Sequence, residues 1–373
     1  MAWKLLKLKP LKPFFFGKET NLKNTNHAIS EYFPQQTQLT GALRLYSMEI
    51  NSLMKVYKSG RFCVPPQREK ALELVGDANS HNFITNDNLG KFDFISPMFI
   101  IKTKGECIRN ALFEIPSDIV KKDNCYIIAT PKKLSDITSS KTTTLLQNYD
   151  VKEGFVNALG GIEFWDDYIE FKNPKNIIQY SEVFEPYKQV GIGLKNNKQV
   201  NEGQFYTKIS YNLKENYEFG VIIKSAEENL IKNGIITLGG ENSTFKLEVL
   251  DIPYSLKCHP IIQNFQNDRK QKGKKIVLLS DSILTNSINE NAFFQIVEHK
   301  VLFKMMISQE EKTIETEKGT FTKHQRYNTD KKSDEKLLVP KGTIYYFNTP
   351  STIEEATGAY KKMGFNTFLI LNT

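Results

Sequence analysis

Five histidines, His27, His81, His259, His299 and His324, are the side chains best suited to moving protons near neutral pH. No two of them form an H-x-x-x-H or H-D pair. The chain has no Gly-x-Ser-x-Gly elbow, no phosphate-binding P-loop and no paired-carboxylate motif. Its cysteines, Cys63, Cys107, Cys125 and Cys258, lie far apart with no C-x-x-C spacing for zinc, which reads as reduced, mostly buried thiols of a cytoplasmic protein. One turn invites an enzymatic test. In Leu238-Gly239-Gly240-Glu241, a second acid after Glu241 would let two carboxylates hold a pair of metal ions. Asn242 stands there instead. What remains is a turn whose adjacent glycines, Gly239 and Gly240, let another backbone come close. No catalytic residue, metal or cofactor is expected.

Anion binding is the better-represented chemistry. In "EYFPQQTQLTGALR", residues 31–44, Thr37 reads as a helix N-cap, followed by Gln38, Thr40 and Gly41 in the first turn. Amides at a helix start are unpaired and carry partial positive charge, which suits a phosphate. Gly41 removes a side chain from the approach, and Arg44, one turn on, could add a charge-assisted contact. A capped core helix with a surface arginine accounts for the same residues. Phe14, Phe15 and Phe16 read mainly as core, whereas Tyr32 and Phe33, between Glu31 and Pro34, are candidates to stack on bases.

The elements that would carry these residues are partly legible. The 373 residues are 40% hydrophobic, enough for a globular chain of two domains, and the formal charge of +8 is compatible with a phosphate-bearing partner. Lysines interrupt every apolar run of the N-terminal "MAWKLLKLKPLKPFFF", and no stretch approaches the ~18 apolar residues needed to span a bilayer. Leu6-Lys7-Leu8-Lys9 alternates as a half-buried strand that Pro10 and Pro13 end. Apolar residues from Leu39 to Tyr57 recur at helical spacing, with Gly60 as a stop. "FDFISPMFIIKT" and "NCYIIAT" read as strands. In the second half, Tyr217–Ile223 is a strand, "SAEENLIKNG" a short helix closed by Gly234, "IITL" a strand, and Phe245–Val249 its antiparallel partner. With strand and helix patterns at 276–297 and a helix–strand pair at 352–371, this order suggests the split β-α-β topology of ferredoxin-like domains. "DRKQKGKK" (268–275) and "TKHQRYNTDKKSDEK" (322–336) read as exposed charged segments.

Four stretches in order, "PFFFGKE" with "YFPQQTQLTGALR", "VGIGLKNNKQVNEGQFYTKISYNL", "ITLGGENSTFKL" and "PKGTIYYF", resemble the third subunit of the Cmr complex, the type III-B CRISPR effector, within the RAMP superfamily. Asn242 and Ser243 depart from the basic residues common after that glycine turn, and "GFNTFLIL" keeps one glycine where Gly-x-Gly is common. The resemblance implies an α+β chain of two ferredoxin-like (RRM-like) domains with loop and hairpin insertions. The expected division is 1–212, with a thumb-like hairpin near 188–208, and 213–373, with the glycine turn at 238–241. It implies a non-catalytic, cytoplasmic subunit that binds the repeat-derived 5′ tag of the crRNA. The partners implied are the large polymerase- or cyclase-like CRISPR subunit, a backbone RAMP subunit and, indirectly, target RNA. The thumb would offer Gly191, Gly193, Lys195, Lys198 and Lys208 to phosphate. The alternative is a RAMP endoribonuclease that processes CRISPR repeat RNA, with His27 as its general base.

Overall fold

The structure is a computed structural model. It describes residues 2–17, 27–54, 57–58, 61–62, 67–76, 88–133, 144–149, 154–194, 200–266, 272–284, 288, 291–297, 301–303, 306–307, 313–316, 319–322, 331–332, 336–351 and 358–372.

Strand β1 (Ala2–Pro10) follows the alternation of its sequence. Leu6 and Leu8 point into a core that also holds Phe14, Phe16, Phe219 and Phe245, while Leu5 faces a second core on the opposite side of the sheet. Next in the chain come the short strand β2 (His27–Ile29) and helices α1 (Gln36–Ile50) and α2 (Gln67–Val75). Strands β3 (Phe92–Ile95), β4 (Phe99–Lys104) and β5 (Cys107–Glu114) follow. After them lie β6 (Leu159–Gly160), α3 (Ile162–Ile169), β7 (Ile177–Ile178) and α4 (Tyr180–Val183). A long hairpin, β8 (Phe184–Leu194) and β9 (Val200–Leu213), leads to β10 (Tyr217–Ser225), β11 (Gly234–Thr237) and β12 (Thr244–Asp251).

Nine strands form one sheet in the order β7-β6-β5-β4-β10-β1-β12-β11, with β3 pairing β10 beside that path. All of its pairings are antiparallel. β1 sits between β10 and β12, so residues 217–251 belong to the N-terminal sheet. The expected division at 212/213 therefore does not separate the sheets, and the glycine turn belongs with the N-terminal strands. Sequence order misled here because β1 finds its partners more than two hundred residues away.

The rest of the chain adds α5 (Tyr254–Lys257) and α6 (Pro260–Gln266). A second sheet follows, made of β13 (Gly273–Leu278), β14 (Phe294–Ile296), β15 (Ile344–Ser351) and β16 (Phe368–Leu371), with α7 (Gly358–Lys362) before its last strand. Its order is β14-β15-β13-β16, again all antiparallel. The core that takes Leu5 from the first sheet also takes Val277, Ile344 and Leu369 from the second.

Four local expectations change. α1 stops at Ile50, well before Gly60: the Asn51 side chain donates to Ser47 O at 2.8 Å, Ser52 enters the left-handed region at φ 58, and Leu53 N donates to Met48 O at 2.9 Å. The segment 226–233 is not helical. It is too short to hold a helix alone, and α1 takes its carbonyls, Ser47 Oγ donating to Leu230 O at 3.3 Å and Tyr46 OH to Lys232 O at 3.1 Å. Lys275, expected on an exposed charged segment, is buried and paired with Asp118 at 2.7 Å. Cys107, Cys125 and Cys258 are exposed rather than buried, since they sit at strand and helix ends.

Candidate nucleic-acid interface

A strap from Phe14 to Gly17 organises the region where most of the sequence-selected residues meet. Its side chains alternate: Phe14 and Phe16 are fully buried, and Phe15 lies half-buried on the other side. Backbone bonds fix it to the hairpin, with Phe14 N donating to Tyr211 O at 2.8 Å and Tyr211 N to Phe14 O at 3.1 Å. Glu31 N donates to Phe16 O at 2.8 Å, and Phe16 N to Ser30 Oγ at 2.8 Å.

The glycine turn clasps this strap. Gly240 N donates to Phe15 O at 2.8 Å, and Phe15 N donates to Ser243 Oγ at 3.1 Å. Gly239 has φ 87, and a Cβ there would stand 2.7 Å from Phe15 O. The close backbone approach anticipated at Gly239 and Gly240 is made by the chain's own strap. Glu241 and Asn242 follow with φ 54 and 53.

Lys208, on β9, pairs with Glu241, and its Nζ lies 5.0 Å from the centre of the Phe15 ring. The register places Gly191 opposite Tyr206, Gln189 opposite Lys208 and Tyr187 opposite Ser210, so Tyr187, Tyr206 and Lys208 share one face of the hairpin. Tyr187 and Tyr206 are 45% and 53% exposed. Gly191 exists for Tyr206: a Cβ would fall 2.1 Å from the ring's Cζ. Gly193 sits where the register shifts between Ile192 and Leu194. Lys195 and Lys198 lie outside the described residues. Tyr187 and Tyr206 were missed in the sequence; their spacing from Lys208 along two alternating strands was the available signal.

The start of α1 differs from its expected form. Gln35, extended at ψ 146, precedes the helix without a side-chain cap bond, and Thr37 lies inside the first turn. Gln35 O accepts from Gln38 N at 2.9 Å and Leu39 N at 3.2 Å, and Gln36 Nε2 ties the helix to Ser96 O at 3.0 Å. Gln38 Nε2 reaches Gly17 O at 3.4 Å, which joins this turn to the strap. Thr40 is buried with its hydroxyl unpartnered. Gly41 borders open space. Arg44 points away: its Nε donates to Val75 O at 2.7 Å, capping the end of α2.

Tyr32 and Phe33 are held by protein rings instead of standing free. Phe33 is buried against Phe184 and Phe219. Tyr32 stacks on Tyr180 with centroids 4.4 Å apart and planes 3° from parallel. Burial and a hydrogen bond with Tyr32 push the Tyr211 hydroxyl up to about 12. Beyond these rings opens a cleft of about 330 Å³ between the sheets, lined in part by Glu31, Tyr32, Phe33, Glu114, Tyr180 and Lys341. Lys341 pairs with Glu114 and stands 4.3 Å over the Phe33 ring.

Among the described residues, no three His, Cys, Asp or Glu side chains are grouped to hold a metal, and no helix is long and apolar enough to cross a membrane. His27 is exposed on β2.

An α+β chain with two antiparallel sheets and a basic, tyrosine-bearing hairpin is the class this geometry defines. The family model described as CRISPR-associated protein (Cas_Cmr3) matches residues 6–373, and the chain belongs to that family. No curated protein matches. The fold is similar to a chain in the cryo-EM structure of the Type III-B Cmr-beta bound to cognate target RNA, at 15% identity and TM-score 0.50 over 98% of this chain and 96% of that one. A chain of the Csm3-Csm4 subcomplex of the type III-A CRISPR-Cas interference complex matches at 13% identity and TM-score 0.45, over 99% of this chain and 100% of that one.

Proposed function

We propose that this chain is a non-catalytic RNA-binding subunit of a type III-B CRISPR effector, holding the repeat-derived 5′ tag of the crRNA. Its partners on this reading are the large polymerase-like subunit, a backbone RAMP subunit and, through the guide, target RNA. The family assignment supports the setting. The observation that carries RNA binding is the hairpin face on which Tyr187, Tyr206 and Lys208 lie together, exposed rings beside a cation. A single strand is gripped by that combination, rings stacking on bases and cations meeting phosphates.

The same reading divides the chain into two ferredoxin-like modules. In the first sheet β4, β10, β1 and β12 are adjacent, the second, third, first and fourth principal strands in chain order. In the second sheet β14, β15, β13 and β16 repeat that order. Two split β-α-β units interleaved produce this arrangement.

Equilibrium binding of labelled tag-bearing RNA to the purified chain tests the proposal. Affinity falls steeply with salt, as phosphate neutralisation requires. Tyr206→Ala and Tyr187→Ala each weaken binding by about 1–3 kcal/mol for a lost stacked base. Unchanged affinity in both variants overturns the assigned face. Metal-free cleavage of repeat RNA that disappears in His27→Ala overturns the non-catalytic assignment.

A further inference from the structure

We infer that Glu241 is a built-in counter-anion that occupies Lys208 until an RNA phosphate displaces it, so that this one carboxylate lowers the protein's affinity for RNA. The inference rests on the RNA reading of the hairpin face and adds a residue that tunes it.

Lys208 is an unusual lysine for a solvent-facing hairpin. Its side chain is 11% exposed, with the Phe15 ring 5.0 Å from its Nζ. An ammonium so withdrawn from water needs an anion beside it. In the free protein Glu241 meets that need, and its own side chain remains 65% exposed. The pair is asymmetric: the cation is fixed and covered, whereas the carboxylate can swing into solvent without exposing apolar surface.

The backbone fixes the point from which the carboxylate reaches Lys208. Gly240 N is bonded to Phe15 O at 2.8 Å, Phe15 N to Ser243 Oγ at 3.1 Å, and Ser243 Oγ donates to Gly240 O at 2.9 Å. Between these anchors Glu241 stands at φ 54, ψ 33, a region that L side chains seldom occupy. The turn is built on the very strap that supplies the ring beneath Lys208. A phosphate approaching Lys208 would meet the carboxylate at the same ammonium, and two anions repel there, so occupancy by one excludes the other.

Fluorescence anisotropy with a short fluorescein-labelled single-stranded RNA, across a series of salt concentrations, tests this on the full chain. Glu241→Gln removes the competing charge. Binding then tightens about twofold to fivefold, the range expected for a partly exposed ion pair, while the slope of log affinity against log salt stays the same, because one phosphate meets Lys208 in both proteins. Glu241→Gly, which also relieves the left-handed backbone, gives the same gain and guards against a folding artefact. In a Lys208→Gln background, Glu241→Gln has no effect. If Lys208→Gln weakens binding while neither Glu241 variant tightens it, the counter-anion role is overturned and the RNA face stands. If none of these variants, nor Tyr206→Ala, alters binding, the RNA face itself is overturned.

Discussion

Replacing Lys275 by methionine leaves a carboxylate in the protein interior with no cation. Asp118 is fully buried, and its Oδ2 lies 2.7 Å from Lys275 Nζ. Two phenols complete its shell: Tyr168 OH donates at 3.1 Å and Tyr346 OH at 3.0 Å. The ammonium in turn lies 4.3 Å from the centre of the Tyr168 ring. Burial and the charge of Asp118 push the Tyr168 and Tyr346 hydroxyls far above their ordinary range, so both remain donors at every working pH. The quartet joins both sheets. Asp118 follows β5 and Tyr168 is on α3, while Lys275 and Tyr346 are on β13 and β15.

Breaking a buried pair from one side costs about 3–5 kcal/mol, because the remaining charge has no counterpart. Lys275→Met and Asp118→Asn should each show a loss of that size. At a slope of about 3 kcal/mol per molar urea, the midpoint falls by roughly 1–1.7 M. The double variant removes both charges and keeps an amide oxygen for the two phenols. Its loss should be no greater than that of the poorer single variant, a coupling of about 3 kcal/mol or more. Trp165, buried one turn before Tyr168 on α3, reports unfolding by fluorescence. Single variants that lose less than about 1 kcal/mol, or a double variant equal to the sum of the singles, would refute the reasoning.

Burial holds His259 down to about 4, from its ordinary 6.5, with its Nδ1 accepting from Ile261 N at 3.2 Å and its Nε2 3.1 Å from Ala111 O. Folding therefore favours the neutral ring: its contribution is complete above pH 6.5 and is lost as pH falls through 4, a difference of roughly 3 kcal/mol. His259→Gln should flatten urea stability over that window; an unchanged pH profile would contradict the assignment. Gly239→Ala places a Cβ 2.7 Å from Phe15 O at φ 87, so the melting point should drop with a loss of roughly 2 kcal/mol, and an unaltered melt would show that the strap gives way. Lys7→Ala leaves Glu218 and Glu248, now 3.3 and 2.7 Å from the ammonium, facing each other without a cation. Stability should fall by about 1 kcal/mol or more while RNA affinity holds, and weakened RNA binding would assign the sheet face to the ligand.

How far the sequence could be read depended on the range of the interactions involved. β1 and the hairpin of β11 and β12 follow from two-residue alternation, a property of neighbours. The segment 226–233 did not, because its fate is set by Ser47 and Tyr46 on a helix far back in the chain. Arg44 carries the charge expected of an anion ligand, yet only the packing of α2 against α1 shows that its Nε is bonded to Val75 O. Lys275 looked exposed because its neighbours in sequence are charged; its partner Asp118 is 157 residues away. The glycine turn was read for what it permits, close backbone approach, and the approaching backbone proved to be internal.

That last outcome bears on the path of the proposed RNA strand. RRM-type modules stack bases on aromatic residues of an open sheet face. On the first sheet, one face is filled by Leu6, Leu8, Phe219 and Phe245. The other is covered near Leu5 by Ile261, Ile262 and Phe265 of α6. Beyond that cover, Lys7 bridges Glu218 and Glu248, and Lys246 joins Glu248 at 2.6 Å. On this face each lysine meets a carboxylate, as Lys208 meets Glu241 on the hairpin, so the exposed rings and not the charges distinguish the two. Exposed rings beside a cation occur instead on the hairpin, at Tyr187, Tyr206 and Lys208, and continue through Phe15 on the strap. On the proposed function, a single strand therefore follows the hairpin and strap rather than the face of the first sheet.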